Sequence, residues 1–223
     1  MNKVSLALLL GSVFLFAPFD TVHADGSAWT EGGLQKITVK GLDAVYAKPG
    51  ASLAGYDKVL LRPISVTFHK DWAKTVGAGA KMQVSASDTQ RIRDRLSKLV
   101  REEVVKELND GGYKLVDAAD DDVLDVEMDV VNLHVVAPAL TTGRKSGTYG
   151  VSAGEMTLIL QLRDSATGDT IARALDRALA SESFRPMRID SVDNEAEARR
   201  AASGWAKALR SGLDRAKGIG AKS

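Results

Sequence analysis

Apolar positions recur along this chain at two spacings, every second residue and every third or fourth, and each change of spacing marks the boundary of an element. Asp43 to Lys48 is a short extended stretch that ends at the Pro49-Gly50 turn. Lys58 to Phe68 reads KVLLRPISVTF: a continuous apolar start gives way to alternation at Ile64, Val66 and Phe68. That predicts a strand buried on both faces at first and on one face later. Pro63 has no N–H to give to a ladder, so it places this strand at an edge or at a bulge. Ser87 followed three residues later by Gln90 reads as a capping box. It opens a helix with Ile92, Leu96, Leu99, Val100, Val104 and Leu108 on one face, ended by Gly111-Gly112. Tyr113 to Val116 is a short extended piece. Asp122 to Val136 is a long strand whose buried set is Leu124, Val126, Met128 and Val130; the phase then slips by one residue to Val131, Leu133 and Val135, as a β-bulge requires.

Pro138 to Ala153 is rich in Gly, Ser and Thr and reads as a loop longer than most connections. Glu155 to Arg163 alternates cleanly, with Met156, Leu158, Leu160 and Leu162 inward. Ser165 to Asp169 then turns the chain into a strand from Thr170 to about Leu179, forming a hairpin. A last helix runs from about Asn194 to Lys217 with Ala198, Ala202, Trp205, Leu209, Leu213 and Ala216 inside, and Ser191 and Asp193 as its caps. The order of elements predicts an α+β fold, a mostly antiparallel β-sheet with two main α-helices packed on one face. Residues 43–223 are expected to form one domain, and residues 25–42, polar and without sustained periodicity, an N-terminal arm whose one aromatic residue is Trp29.

The N-terminus changes the picture from a fold to an address. Asn2 and Lys3 precede an apolar stretch from Val4 to Phe16, and Val22-His23-Ala24 offers small side chains where a signal peptidase reads. Pro18 and Asp20 close the stretch well short of the roughly 20 apolar residues of a membrane-spanning helix. Residues 1–24 therefore read as a signal peptide cut after Ala24, and the protein as periplasmic or otherwise exported. Removing 24 of 223 residues leaves 199, enough for a sizeable core. No later apolar run predicts a transmembrane segment. One basic and one acidic residue leave with the signal, so the net charge stays at +1 and nothing points to nucleic acid. Cysteine is absent, which excludes a disulfide scaffold, a thiol nucleophile, a thiolate metal site and a lipid-modified cysteine.

Three stretches carry a family likeness: YAKPGASLAGYDKVLLRPISVTF at Tyr46 to Phe68, LRDSATGDTIARALDR at Leu162 to Arg177, and SGWAKALRSGLD at Ser203 to Asp214. Together they resemble the bacterial envelope family known as domain of unknown function 3313, in the same order and over most of the mature chain. The shared motifs are structural: a turn, a hairpin and a helix face with Trp205. The resemblance implies an envelope protein with no catalytic residues to carry over. Many members of that family look like lipoproteins, and this chain departs from them in having no cysteine at the signal cleavage site.

Few residues suggest chemistry. Gly150-Val151-Ser152-Ala153-Gly154 matches the Gly-x-Ser-x-Gly pattern of a nucleophile elbow, but a strand follows it rather than a helix, and no histidine occurs after His134. The acidic run Asp120, Asp121, Asp122, Asp125, Glu127 and Asp129 lacks the glycine and the terminal glutamate of a calcium loop. Residues 125, 127 and 129 alternate with the buried set, which puts them on the wet face of the strand. His69 and His134, the two histidines of the mature chain, have no partners at zinc-ligand spacing, so neither metal nor cofactor is expected. Two carboxylates suffice for a glycosidase, yet three of the twelve aromatic residues leave with the signal and no pair of the remaining nine makes a sugar platform. Arg144, Lys145 and Tyr149 on the long loop are the candidates for touching a partner, since loop cations beside an aromatic can engage a phosphate, a carboxylate or a protein surface. The expectation is a non-catalytic module that binds an envelope protein or another envelope component. The alternative is a periplasmic hydrolase using carboxylates the sequence does not identify.

Overall fold

The period-two segments build an eight-stranded sheet, and the two period-3.6 segments build the helices that cover it. The computed structural model describes residues 27–72, 74, 85–135, 148–150, 154–179, 187–189 and 191–219. The strands are β1 (Gln35–Ile37), β2 (Ala44–Ala47), β3 (Lys58–Leu61), β4 (Ser65–Phe68), β5 (Lys114–Leu115), β6 (Val123–Val135), β7 (Thr148–Gly150), β8 (Gly154–Asp164), β9 (Thr170–Leu179) and β10 (Met187–Ile189). The two long helices are α1 (Ala86–Asp110) and α2 (Ser191–Ala216). The main sheet runs β1-β2-β9-β8-β6-β3-β5, with β4 also on β6; β7 and β10 form a separate two-stranded ribbon.

The fold is α+β as the pattern predicts, and the sheet is mixed. Pairings from β1 to β6 through β2, β9 and β8 are antiparallel, whereas β3 and β4 pair with β6, and β5 with β3, in parallel. The parallel part follows from α1, which carries the chain back over the sheet between β4 and β5.

Pro63 divides the segment read as one strand. Arg62 makes the last ladder bond of its half, donating its N–H to the Val126 carbonyl at 2.9 Å. The chain then breaks at Pro63 and resumes on β6 as β4. The expected bulge in β6 is present: the register with β8 shifts between Val131 and His134, and Asn132 takes the left-handed conformation at φ 53° that its short polar side chain tolerates. The cap of α1 differs from the sequence reading, because Ser85 and Asp88 form the box instead of Ser87 and Gln90. The Ser85 hydroxyl accepts from the Asp88 N–H at 3.0 Å, and the Asp88 carboxylate accepts from the Ser85 N–H at 3.2 Å. The last helix begins at Ser191, so Ser191 and Asp193 lie within its first turn. Within the segment read as an arm, Gln35–Ile37 extends the sheet by pairing with β2.

One core joins these elements. Val59, Leu124, Val126, Met128, Val130, Leu158, Leu160 and Leu162 share the sheet face that meets Leu96, Val100, Val104, Trp205, Leu209 and Leu213 of the helices. The helices lie parallel, since their ion pairs ascend together: Arg95 with Glu195, Glu103 with Arg199 at 2.6 Å, Glu107 with Arg210 at 3.1 Å. Exposed pairs of this kind contribute little each. Packing carries the stability.

Two phenols, Tyr113 buried and Tyr56 partly so, tie the ends of the sheet to its neighbours. Tyr56 donates to Asp164 at 2.8 Å, and Tyr113 donates to Asp214 at 2.8 Å. Burial, followed by the Asp164 hydrogen bond, pushes Tyr56 up to about 12 from its ordinary 10.0, and burial likewise raises Tyr113. A phenol whose folded pKa lies above its unfolded one contributes stability below about pH 10 that is lost as pH climbs toward the folded value. Unfolding free energy should therefore fall between about pH 10 and pH 12, and the Tyr56→Phe, Tyr113→Phe protein should show a flatter alkaline limb from a lower plateau. Urea titrations across that range check it, and equal slopes for the two proteins would refute it.

Candidate functional site

Among the described residues, a concavity lies where the N-terminal halves of the two helices meet the end of the sheet. Ile92, Leu96 and Leu99 of α1 form one wall and Ala198 and Ala201 of α2 the other. The floor comes from Leu133 and Val135 of β6, Met156 of β8, and Ala178 and Leu179 of β9, and His134 of β6 also lines it. Its volume is about 130 Å³, close to that of engineered apolar cavities that accept a benzene-sized molecule. Leu179, at 53% exposed, leaves part of its apolar surface open to solvent.

The rim is charged but internally compensated. Arg95 pairs with Glu195 across the mouth, Glu155 with Arg177 at 2.7 Å, and Glu197 with Arg200, while Arg199 also reaches Glu195 at 3.6 Å. A groove with an apolar floor and a neutralised rim favours an uncharged apolar group over an ion. Gly154 closes one end. A β-carbon there would stand 2.2 Å from the His134 carbonyl oxygen, and its φ of 150° suits glycine alone.

That contact gives the glycine of the Gly-x-Ser-x-Gly match a packing role. Ser152 lies outside the described residues; strand β7 precedes it and strand β8 follows, which is not the strand-turn-helix of a nucleophile elbow. Of the three partner candidates, Arg144 and Lys145 lie outside the described residues, and Tyr149 sits in β7, paired in register with Arg188 of β10, rather than in a loop. The groove adjoins the ends of β6, β8 and β9 from which the chain runs to and from this ribbon.

The acidic run resolves into separate ion pairs. Lys58 holds Asp122 at 2.9 Å and Asp120 at 3.5 Å, Arg163 holds Glu127, and the Ser65 hydroxyl meets Asp129. Asp125 corrects the expectation of a wet face: it is only 5% exposed. Arg62, the last residue to bond the ladder before the Pro63 break, closes over it in a fork, Nε to Oδ1 at 2.8 Å and Nη2 to Oδ2 at 3.0 Å. Arg163, directly opposite on β8, approaches to 3.9 Å. Alternation told which face Asp125 is on but not that two arginines would cover it. His69 and His134 lie at the adjoining ends of β4 and β6, and no group of three or more metal-ligating side chains assembles among the described residues. Trp29 and Tyr46 meet with ring centroids 5.9 Å apart and planes tilted by 32°, a contact that no spacing along the chain reveals.

Arg93 on α1 is a cation that no pattern along the chain singles out. Its guanidinium lies 5.7 Å over the Phe68 ring, and Phe68 stacks on Trp72 at 4.0 Å. Trp72, 1% exposed, is pinned by its indole N–H, which donates to the Val135 carbonyl at 2.9 Å. The Arg93 Nε is buried without an acceptor. Leaving a buried donor unpaired costs about 1–3 kcal/mol, more than the roughly 0.5–1 kcal/mol of a cation–π contact near the surface.

Comparison with known proteins gives a family and several distant structures. A family model described as protein of unknown function (DUF3313) matches residues 32–209. Among solved structures, the chain is similar to the PelC dodecamer from Paraburkholderia phytofirmans at 15% identity and TM-score 0.37, covering 74% of this chain and 94% of that one. A minor lipoprotein from Acinetobacter baumannii matches at 12% identity and TM-score 0.35, covering 73% and 94%. A protein of family DUF330 from Xanthomonas campestris matches at 14% identity and TM-score 0.41, covering 77% and 91%. No curated protein matches the chain.

Proposed function

This chain belongs to DUF3313, a family of unknown function whose model spans residues 32–209, and from that premise we propose that it is an exported, non-catalytic binding module of the cell envelope that receives an apolar group of its partner in the groove between α1, α2 and the sheet. The observation that carries this reading is the groove itself: an apolar floor, an exposed Leu179 beside it, and a rim whose four charged lining residues, Arg95, Glu155, Glu195 and Glu197, are each paired. Such a site can hold an uncharged group by burial, and its carboxylates are all taken up in ion pairs, which leaves His134 as the one lining side chain able to pass a proton. Export rests on residues 1–24, read as a signal peptide, and partner contact extends in this proposal to Arg144, Lys145 and Tyr149.

Crosslinking capture from envelope extracts tests it. Leu179→Asp puts a charge at the groove without touching the deep core and should abolish capture with little change in melting temperature. Ala198→Trp fills the groove and should do the same, at an overpacking cost of about 1–3 kcal/mol. The Arg144→Ala, Lys145→Ala, Tyr149→Ala protein should capture more weakly at nearly unchanged stability. Ser152→Ala should capture as the unaltered protein does. Full capture by Leu179→Asp and Ala198→Trp would remove the groove from the function, and labelling of Ser152 by a fluorophosphonate would overturn the non-catalytic reading.

A further inference from the structure

We propose that Arg93, laid over Phe68 on the flank of α1 that faces β4, is a binding site for a phosphate monoester group. Among the twelve arginines whose side chains are described, the other eleven each meet a carboxylate or a backbone carbonyl, from Arg62 on Asp125 to Arg215 on the Ser211 carbonyl. Arg93 alone has only a ring beneath it and a buried Nε without an acceptor. Trp72 is hydrogen-bonded to the end of β6, Phe68 stacks on Trp72, and the guanidinium lies over Phe68, so the rings beneath it are tied to the sheet.

The charge around it selects the ligand. Lys70, two residues beyond Phe68, is exposed and without an ion pair, whereas the neighbouring Lys74 is taken by Asp71 at 3.3 Å. Asp94 follows Arg93 on the helix but accepts from Gln90 at 2.8 Å, and adjacent helical residues do not face each other. Arg93 over Phe68 and Lys70, two residues beyond Phe68 in the chain, make no ion pair among the described residues, and two such charges match the charge of about −1.5 to −2 on a phosphate monoester better than the single charge of a carboxylate. With Nε sealed, the ligand meets the guanidinium through its terminal nitrogens, and Lys70 supplies the second charge. The site is separate from the apolar groove and does not depend on it.

The mature protein should bind inorganic phosphate saturably by isothermal calorimetry. Arg93→Gln should weaken that binding about tenfold, Arg93→Lys by less because it keeps the charge and loses the fork, and Lys70→Gln about threefold. Lys70 is exposed, so its replacement keeps the test valid should Arg93→Gln unfold. Vesicles of phosphatidylcholine with and without phosphatidic acid distinguish the source: association only with phosphatidic acid assigns the site to a lipid headgroup, and phosphate binding without vesicle association assigns it to a soluble ligand. Leu179→Asp should leave both readouts unchanged, which separates this site from the groove. Equal phosphate affinity in the unaltered, Arg93→Gln and Lys70→Gln proteins would overturn the proposal. So would binding to polyglutamate with none to either phosphate probe.

Discussion

Trp205→Ala should lower the unfolding free energy by about 3–5 kcal/mol, as truncation of a buried aromatic does. Trp205 is 3% exposed and stands in the middle of the inner stripe of α2, between Ala202 and Leu209. Its indole N–H donates to the Asp176 carboxylate of β9 at 2.7 Å, so the ring carries both the apolar contact and one polar tie between helix and sheet. Two substitutions separate these. Trp205→Phe keeps most of the ring and loses the donor, and should cost about 1–3 kcal/mol, because Asp176 is left with an unmet acceptor. Trp205→Ala adds the cavity, and urea unfolding measures both. A loss below about 1 kcal/mol for the alanine protein would mean that α2 does not depend on this ring, since surface changes usually stay within about half a kcal/mol.

The same residue shows what the sequence can reveal. Trp205 falls on a period-3.6 stripe with Leu209 and Leu213, and every member of that stripe must face the core whatever the sheet order, so its burial is legible. The alternation in β8 and the phase slip in β6 are legible for the same reason: they are local patterns with one geometric solution. Neighbours brought together by strand order are not local. Arg62 and Asp125 are 63 residues apart, and Arg93 meets Phe68 only because α1 packs along β4. No period in the chain encodes either meeting. The groove is harder still, since its floor and walls come from five elements at once. Short strands were lost for another cause: β1, β7 and β10 have three residues each, too few for alternation to rise above chance. The cap of α1 was misplaced by two residues because SASDTQ offers two boxes, and aspartate at the third helical position closed the earlier one.

Arg62→Met should cost about 3 kcal/mol, and Asp125→Asn only about 1–2 kcal/mol, although both break the same pair. The asymmetry follows from burial. Asp125 is 5% exposed, so removing its fork leaves a desolvated carboxylate whose remaining charge partner, Arg163, stands at 3.9 Å. The Arg62 side chain is half exposed, and a guanidinium freed from Asp125 finds water where it is. The cost of Arg62→Met falls at the low end of the range for broken buried pairs because Arg163 can close part of the gap, and the methionine retains the stem that covers β6. Replacing both partners, Arg62→Met with Asp125→Leu, should be less costly than Arg62→Met alone, since no buried charge is then left. A double-mutant cycle by urea unfolding reads all three. It also decides what the fork does: if Arg62 is what compensates Asp125, the single Arg62 change is the expensive one. If instead Arg62→Met costs under about half a kcal/mol, Asp125 is hydrated from the open side of the sheet and the fork is ornamental.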